Sequence, residues 1–353
     1  MNFQELQKVY FKHYYKKNIL EISRIEQREI AITTFEAESM IRHLSFNNID
    51  ALQRFIVSKV PKHIYHSVAY YKYPDNPDMD GKVWLGADLV FDIDADHLET
   101  EVCRDIKVMT LECLEEAIKE TKKLIDILVN ELGLNDKDIK IYFSGHRGFH
   151  VHVENDIVRE LNQDERRELI DYILARNFNP ERHIRRSIKG YVILIRNDLQ
   201  GLGKRLFNVI SQLIDTRYLD PKYLKYRDVR KLGKLISDNI NVIERMLRVQ
   251  IDEIVTMDIK RLIRVPNSLH GKTGLRVTQL DVKDLDKGSE YIIDKAIVFR
   301  KGMLKIRLLE NLGKIRIMGE KLDSTNKDNI VKVPTYIGIY LINTGLGEFI
   351  NEK

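Results

Sequence analysis

The sequence predicts an α/β (α+β) fold in which mixed sheets are interrupted by a helical insertion. Three observations predict it. Strand-like alternation and helical periodicity take turns over residues 28–153, a basic, helical-looking stretch follows to about residue 250, and strand-like runs return from residue 253. With 353 residues the chain is long enough for two or three structural units. An insertion within one domain explains this order better than three domains, because the closing strands look too few and irregular for an independent sheet. The expected division is a discontinuous main domain, residues 1–158 and 251–353, around an insertion of residues 159–250.

Residues 1–30 read as a helix, since Leu6, Val9, Tyr10, His13 and Tyr14 recur at spacings of three and four. The runs REIAITTF (28–35) and MIRHLSF (40–46) alternate as strands do. YKYPDNPDMDGK (71–82), rich in Pro, Asp, Asn and Gly, is a loop. In VWLGADLVFDIDADHL (83–98), Leu89, Phe91 and Ile93 alternate with Val90, Asp92 and Asp94, which predicts a strand with one apolar and one acidic face. Leu111, Leu114, Ile118, Thr121, Leu124, Leu128 and Leu132 step by three or four, predicting an amphipathic helix over 110–132 that Gly133 caps. DIKIYF and FHVHVE read as strands joined by the turn GHRG. Asn162 and Glu165 form a capping pair for the helix DERRELIDYILARNF. Past residue 253, RLIRVPNSL, GLRVTQL, YIIDKAIVF, LKIRLL and TYIGIYLI all read as strands.

Composition removes several classes. An apolar fraction of 43% excludes wholesale disorder even with 31% charged residues. Two cysteines cannot build a disulfide framework, which points to a reducing cytoplasm. No apolar run nears the ~18 residues of a membrane span, and the polar, aromatic N-terminus lacks a signal-peptide core. A cytoplasmic protein is expected. The net charge is a modest +5, but Arg182–Lys234 holds fourteen Lys/Arg against four Asp/Glu, leaving the rest of the chain at −5. A basic block on an acidic body suits a polyanion, although a solvated helical face would carry the same letters.

Three constellations carry chemistry. In FDIDAD, Asp92 and Asp94 point the same way from an extended strand, ~6.5–7 Å apart. Two half-buried carboxylates repel unless a cation neutralises them, and Mg²⁺ or Mn²⁺ prefers such oxygens. Asp96 falls past the strand end. In SGHRGFHVHV (144–153), Gly145 and Gly148 allow a tight turn, Arg147 projects from it, and His150 and His152 share one strand face. A structural hairpin would look similar, and His-x-His lacks the further ligands of a zinc site. IDEIVTMDIKRLIRVPNSLHGKTGL (251–275) combines Asp252 and Asp258 with Lys260, Arg261, Arg264, His270 and Lys272. Its GKTG lacks the rest of a P-loop.

In this order, FDIDADH, SGHRGFHVHV and DIKRLIRVPNSLHGKTG resemble the three signature motifs of the catalytic small subunit of archaeal and eukaryotic DNA primase, and RHLSFNN (42–48) resembles an upstream block of that family. The resemblance implies a primase-type catalytic fold with a variable helical insert, and template-directed nucleotidyl transfer that starts RNA primers on single-stranded DNA, with DNA primers left open. It implies that Asp92, Asp94 and Asp252 hold the metal ions; Asp252 precedes His270 by 18 positions, as the family's third acid precedes its motif histidine, with Asp258 as the alternative. It implies that Arg42, Ser144, Arg147, His150, Arg264 and His270 contact the incoming nucleotide. The partners it implies are template DNA, nucleoside triphosphates and a large regulatory subunit carrying an iron–sulfur cluster.

Two departures stand out. The family's zinc-knuckle cysteines are missing: only His97, Cys103 and Cys113 are available, so structural zinc stays open, and residue 146 is His. The tyrosines Tyr218, Tyr223 and Tyr226 interleave the basic block, which could hold template or partner. Competing readings are a repair or gap-filling polymerase of the same superfamily, a non-catalytic nucleic-acid-binding subunit, and a DxD-type phosphatase. Against the last, Ala95 follows Asp94 and the strand lies far from the chain start.

Overall fold

The computed structural model describes every residue except 38, 105–107, 188–189, 194, 197, 215–225, 314–315, 323, 325 and 352–353. The chain forms two compact units, one of residues 1–121, 137–163 and 251–353, the other of residues 122–136 and 164–250.

The first unit opens with α1 (Phe3–Lys17), started by a capping box in which Asn2 and Glu5 bond each other's backbone amides. The predicted helix over 1–30 is therefore about half as long, because α1 stops at Asn18 and the chain turns irregular there. Strands β1 (Ile30–Thr33), β2 (Met40–Leu44) and β3 (His63–Ser67) follow, with α2 (Ile49–Lys59) between the last two. The acidic strand β4 is Leu89–Asp94, α3 is Leu111–Asp126, and β5 (Ile139–Phe143) and β6 (Gly148–Val153) form the hairpin around the GHRG turn.

The second unit holds α4 (Gln163–Ile173), the hairpin β7 (Ile184–Ser187) and β8 (Gly190–Ile193), then α5 (Gly201–Leu213), α6 (Tyr226–Asp238) and α7 (Ile240–Leu247). The basic block from Arg182, expected to be mostly helical, thus begins with a hairpin. Leu206, Val209, Ile210, Ile236, Ile243 and Leu247 make its core. Arg205, counted in the basic block, is 6% exposed and forks onto Glu131 at 2.6 and 3.0 Å, with Tyr172 donating to the same carboxylate. Such a bidentate pair is structural. Tyr218 and Tyr223 lie outside the described residues, and only the backbone of Tyr226 is described.

The first unit resumes with α8 (Glu253–Met257), β9 (Leu262–Arg264), β10 (Thr278–Leu280), α9 (Gly288–Ala296), β11 (Met303–Leu308), β12 (Ile330–Pro334), α10 (Thr335–Asn343) and β13 (Gly347–Phe349). Among the described residues, three sheets of three or more strands carry the unit, in the strand orders β9-β3-β1-β2, β10-β5-β6-β4 and β12-β11-β13, with antiparallel pairing throughout. The closing strands do form a small sheet of their own. YIIDKAIVF and TYIGIYLI, read as strands, fall largely in α9 and α10. Residues 335–341 are buried on every side, so no helical stripe shows in the sequence, and the Ile and Tyr content mimics a strand.

Arg28 joins the first sheet to the acidic strand. Its guanidinium pairs with Asp88 at 2.5 Å and donates to the carbonyls of Ser67 and Val68, while the Tyr70 hydroxyl donates to Asp88 at 2.6 Å. Both charged side chains are buried. This network fixes where β4 begins relative to β3.

The two cysteines correct the reading of composition. Cys103 and Cys113 form a disulfide, which leaves neither sulfur as a thiolate for zinc. Among the described residues no helix is long and apolar enough to cross a membrane.

Candidate active site

The acidic wall is built by β4. Leu89, Phe91 and Ile93 are fully buried, so period-two alternation turns Asp92 and Asp94 to the other face. Asp92 pairs across to His150 and Asp94 to Gly148 on β6. Gly148 is required there: a Cβ would stand 2.1 Å from the Ile93 carbonyl oxygen. The third acid arrives from far along the chain. The Asp252 amide donates to the Asp92 carbonyl at 2.8 Å, and its carboxylate caps α8 by accepting from Ile254 and Val255. Asp258, at the far end of α8, accepts from the Lys260 amide and lies near Tyr71, whose phenol is pushed up by burial first, then by Glu29 and Asp258.

Burial foremost, then the charges of Asp94 and Asp252, push the Asp92 carboxyl from 3.8 up to about 7, against the pull of Arg261 and Arg264. The two arginines do not offset that rise at Asp92. His150 Nε2 lies 3.8 Å from Asp92, but burial and Arg264 push its imidazole down to about 3, so it is neutral at physiological pH.

The opposite wall comes from β9, β3 and two turns. Arg264 lies over the Tyr65 ring and donates to His63 Nδ1 at 2.7 Å. His63 packs edge-on against His270 at 5.0 Å, and His146 stacks on His270 at 4.8 Å with a 4° interplanar angle. All three imidazoles are held below their ordinary value, by burial first and then by neighbouring cations, His63 to about 2 and His146 to about 3. The Lys272 amide donates to His270 Nδ1 at 3.3 Å, which places the proton of the neutral ring on Nε2.

The 144–148 turn is organised by Ser144, whose hydroxyl oxygen accepts from the amides of His146 and Gly148, both at 3.3 Å. Thr273 donates to the Gly145 carbonyl, joining this turn to the 270–274 turn. Gly145 has φ +76°, and a Cβ there would sit 3.1 Å from that of His270. Arg147 pairs with Asp96. Asp96, placed past the strand end by the sequence, thus holds Arg147.

The structure gathers Asp92, Asp94, Asp252, Arg264 and His150 into one electrostatic group and joins the Ser144 and His270 turns beside it. Arg42 belongs to another network. It forks onto buried Glu29 at 2.9 and 3.4 Å, and Lys82 approaches the same carboxylate at 3.4 Å. β2 and β9 are opposite edges of one four-stranded sheet, so Arg42 is three strand spacings, about 14 Å, from Arg264. Sequence reasoning missed His63 and Tyr65. Alternation in KHIYHS puts both on one strand face, but only pairing of β3 with β9 brings that face to Arg264.

Among the described residues no three His, Cys, Asp or Glu side chains already meet as a ready-made metal cage. The donor chemistry nevertheless fits a hard divalent cation: three carboxylates that repel one another, Asp94 and Asp252 each engaging amides through one oxygen only.

An uncompensated acidic wall facing an arginine–histidine wall is the layout of a nucleotidyltransferase site, where cations and donors must share the charge of a polyphosphate. Comparison with known proteins agrees. Residues 91–282 match the family model described as DNA primase small subunit. "DNA primase small subunit PriS" of Pyrobaculum aerophilum is 42% identical over 335 residues, spanning 94% of this chain and 96% of that one. The proteins of the same name from Archaeoglobus fulgidus (38%, 95% of each chain) and Thermoplasma volcanium (35%, 98% of each) are similarly related. Among solved structures, the polymerase domain of Mycobacterium tuberculosis ligase D in complex with DNA aligns over 81% of this chain and 86% of that chain, at 11% identity and a TM-score of 0.37. The chain belongs to the DNA primase small subunit family, which implies dependence on divalent metal.

Proposed function

We propose that this chain is the catalytic subunit of a DNA primase, joining nucleoside triphosphates into short RNA primers on single-stranded DNA during replication. The observation that carries the reading is the Asp252 amide bonded to the Asp92 carbonyl, which ties the third acid to the two on β4. Asp92, Asp94 and Asp252 would hold Mg²⁺ or Mn²⁺. When bound, the metal supplies Lewis acidity toward the 3′-hydroxyl and the pyrophosphate leaving group.

The chain's own residues do the rest. Arg264 offers a planar fork to phosphate oxygens, and His270, with its proton on Nε2, donates without adding charge. Ser144 and the amides of its turn, with Arg147 and His150, line the same nucleotide, and Arg42 reaches it only if it leaves Glu29. No protein nucleophile is needed. Base choice comes from pairing with the template, and grip on its backbone weakens with salt.

We place the chemistry in residues 1–158 and 251–353 and assign 159–250 as the insertion. Both cysteines are joined in a disulfide, so an iron–sulfur cluster needing four thiolates would belong to a large-subunit partner. We assign the complex to the cytoplasm, a reading that the archaeal primase relatives support.

The test is incubation with unprimed single-stranded DNA, labelled nucleoside triphosphates and Mn²⁺ or Mg²⁺, with products resolved by length. Dinucleotides and short oligomers are expected. Extension of primed ends without dinucleotide formation would instead mark a gap-filling polymerase.

A further inference from the structure

The phosphate-facing turn 270–274 is held from three sides, by β3, α1 and α10. The Gly271 amide donates to His63 Nδ1 at 3.2 Å. The Gly271 carbonyl accepts from Gln7 of α1 and Asn343 of α10, both at 3.0 Å, so the first and last helices of the chain meet on one atom. Gly271 admits no side chain, because a Cβ would lie 2.4 Å from Lys62 Cγ and 2.8 Å from His63 Nε2. Further along, Tyr14 donates to the Asn267 carbonyl at 2.9 Å, and Tyr15 accepts from the Leu269 amide at 3.0 Å. α1 therefore tracks the whole approach to the turn.

His63 is the junction. Its Nδ1 accepts from both Arg264 and Gly271, so that atom carries no proton and the ring is the Nε2–H tautomer. A guanidinium always donates, so a protonated Nδ1 would lose its bond to Arg264. Burial and the surrounding cations keep the ring neutral.

We infer that His63 is a positioning residue for nucleotide binding: one imidazole nitrogen fixes the aim of the Arg264 fork and the placement of the His270 turn, and Gln7 and Asn343 lock that turn from behind. The inference rests on the reading of Arg264 and His270 as phosphate ligands. It adds that nucleotide affinity depends on a histidine that touches no phosphate, and on residues from both ends of the chain.

The experiment uses the full-length chain, equilibrium binding of inorganic tripolyphosphate as the probe, and steady-state extension for KM and kcat. His63→Leu is expected to weaken tripolyphosphate binding and raise nucleotide KM by about tenfold, with kcat within about threefold. His63→Asn, whose Oδ1 takes the place of Nδ1, is expected to recover to within about threefold of wild type. Asn343→Leu, which removes one donor from Gly271 and leaves His63 in place, should raise KM about threefold and serves if His63→Leu fails to fold. Equal losses in the Leu and Asn variants, a fall in kcat at unchanged KM, or an unchanged KM in Asn343→Leu would overturn the inference. Arg264→Ala separates the two layers. If it weakens tripolyphosphate binding and His63→Leu does not, only the positioning role falls; if it leaves binding intact, the phosphate-site reading falls too.

Discussion

The acidic wall on β4 and the histidine wall built from β3, β9 and the 270–274 turn lie in the same unit, and burial perturbs both. On the first it raises Asp92 to about 7, with Asp94 and Asp252 adding to the push. On the second it lowers His63 to about 2 and His146 to about 3. Both shifts favour the neutral form, yet the walls differ in what restores charge. A cation held there would return Asp92 to its carboxylate, because opposite charge favours ionisation. In the chain by itself the histidines sit among Arg264, Lys62 and Lys272, which oppose their protonation. On the proposed reading, the acidic wall is the one completed from outside. The other is finished by the chain itself, its charge carried by Arg and Lys and its directionality by neutral imidazoles.

The largest effect that bears on this contrast is loss of the acid. Asp94→Asn should cut nucleotide incorporation by about a thousandfold or more while template binding stays near wild type. A filter-binding assay beside primer extension checks it, and extension at a near-normal rate would remove the acidic wall from the reaction.

Next in size is a stability effect. An acid whose folded pKa is raised weakens the fold as pH climbs from its ordinary 3.8 to about 7, and the full penalty stands above that. Asp92→Asn should therefore exceed metal-free wild type in stability by ~1–3 kcal/mol at pH 8 and match it near pH 4. The depressed histidines act in the opposite sense, costing stability below their ordinary 6.5, but they cancel in the difference. Asp94, Asp252, Arg261, Arg264 and His150 all face this carboxyl. Urea unfolding at several pH values measures the gap, which Mn²⁺ should narrow. A gap that ignores pH would break the proposed coupling of the acids.

The smallest effect tests the finished wall. His270→Ala should raise nucleotide KM about tenfold, with kcat little changed and no new pH dependence between pH 6 and 8, since the ring is neutral throughout. If KM and kcat both stay put, His270 leaves the site; if KM rises only below pH 7, the ring was charged after all.

Much of this was legible in the chain. The alternation around Asp92 and Asp94 gave their shared face, because strand periodicity is local geometry. α3 was legible because one of its faces is polar. α10 was not, because helix and strand look alike when every side is buried. The β7–β8 hairpin was hidden within a basic stretch that resembled helices. The Cys103–Cys113 bond was hidden because two cysteines ten residues apart do not announce their separation in space.

The sequence by itself determined the chemistry on offer: paired acids on a strand, a glycine-hinged turn with an arginine, and a third block joining acid, cations and a histidine. It also determined the family, because side-chain type and spacing are written in the chain. The tertiary structure alone decided that the Asp252 amide bonds the Asp92 carbonyl, that Arg42 is held by Glu29, and that His63 stands between Arg264 and Gly271. These are meetings of residues up to 208 positions apart. They depend on which strands pair and which turns close on one another, and local periodicity carries no record of that.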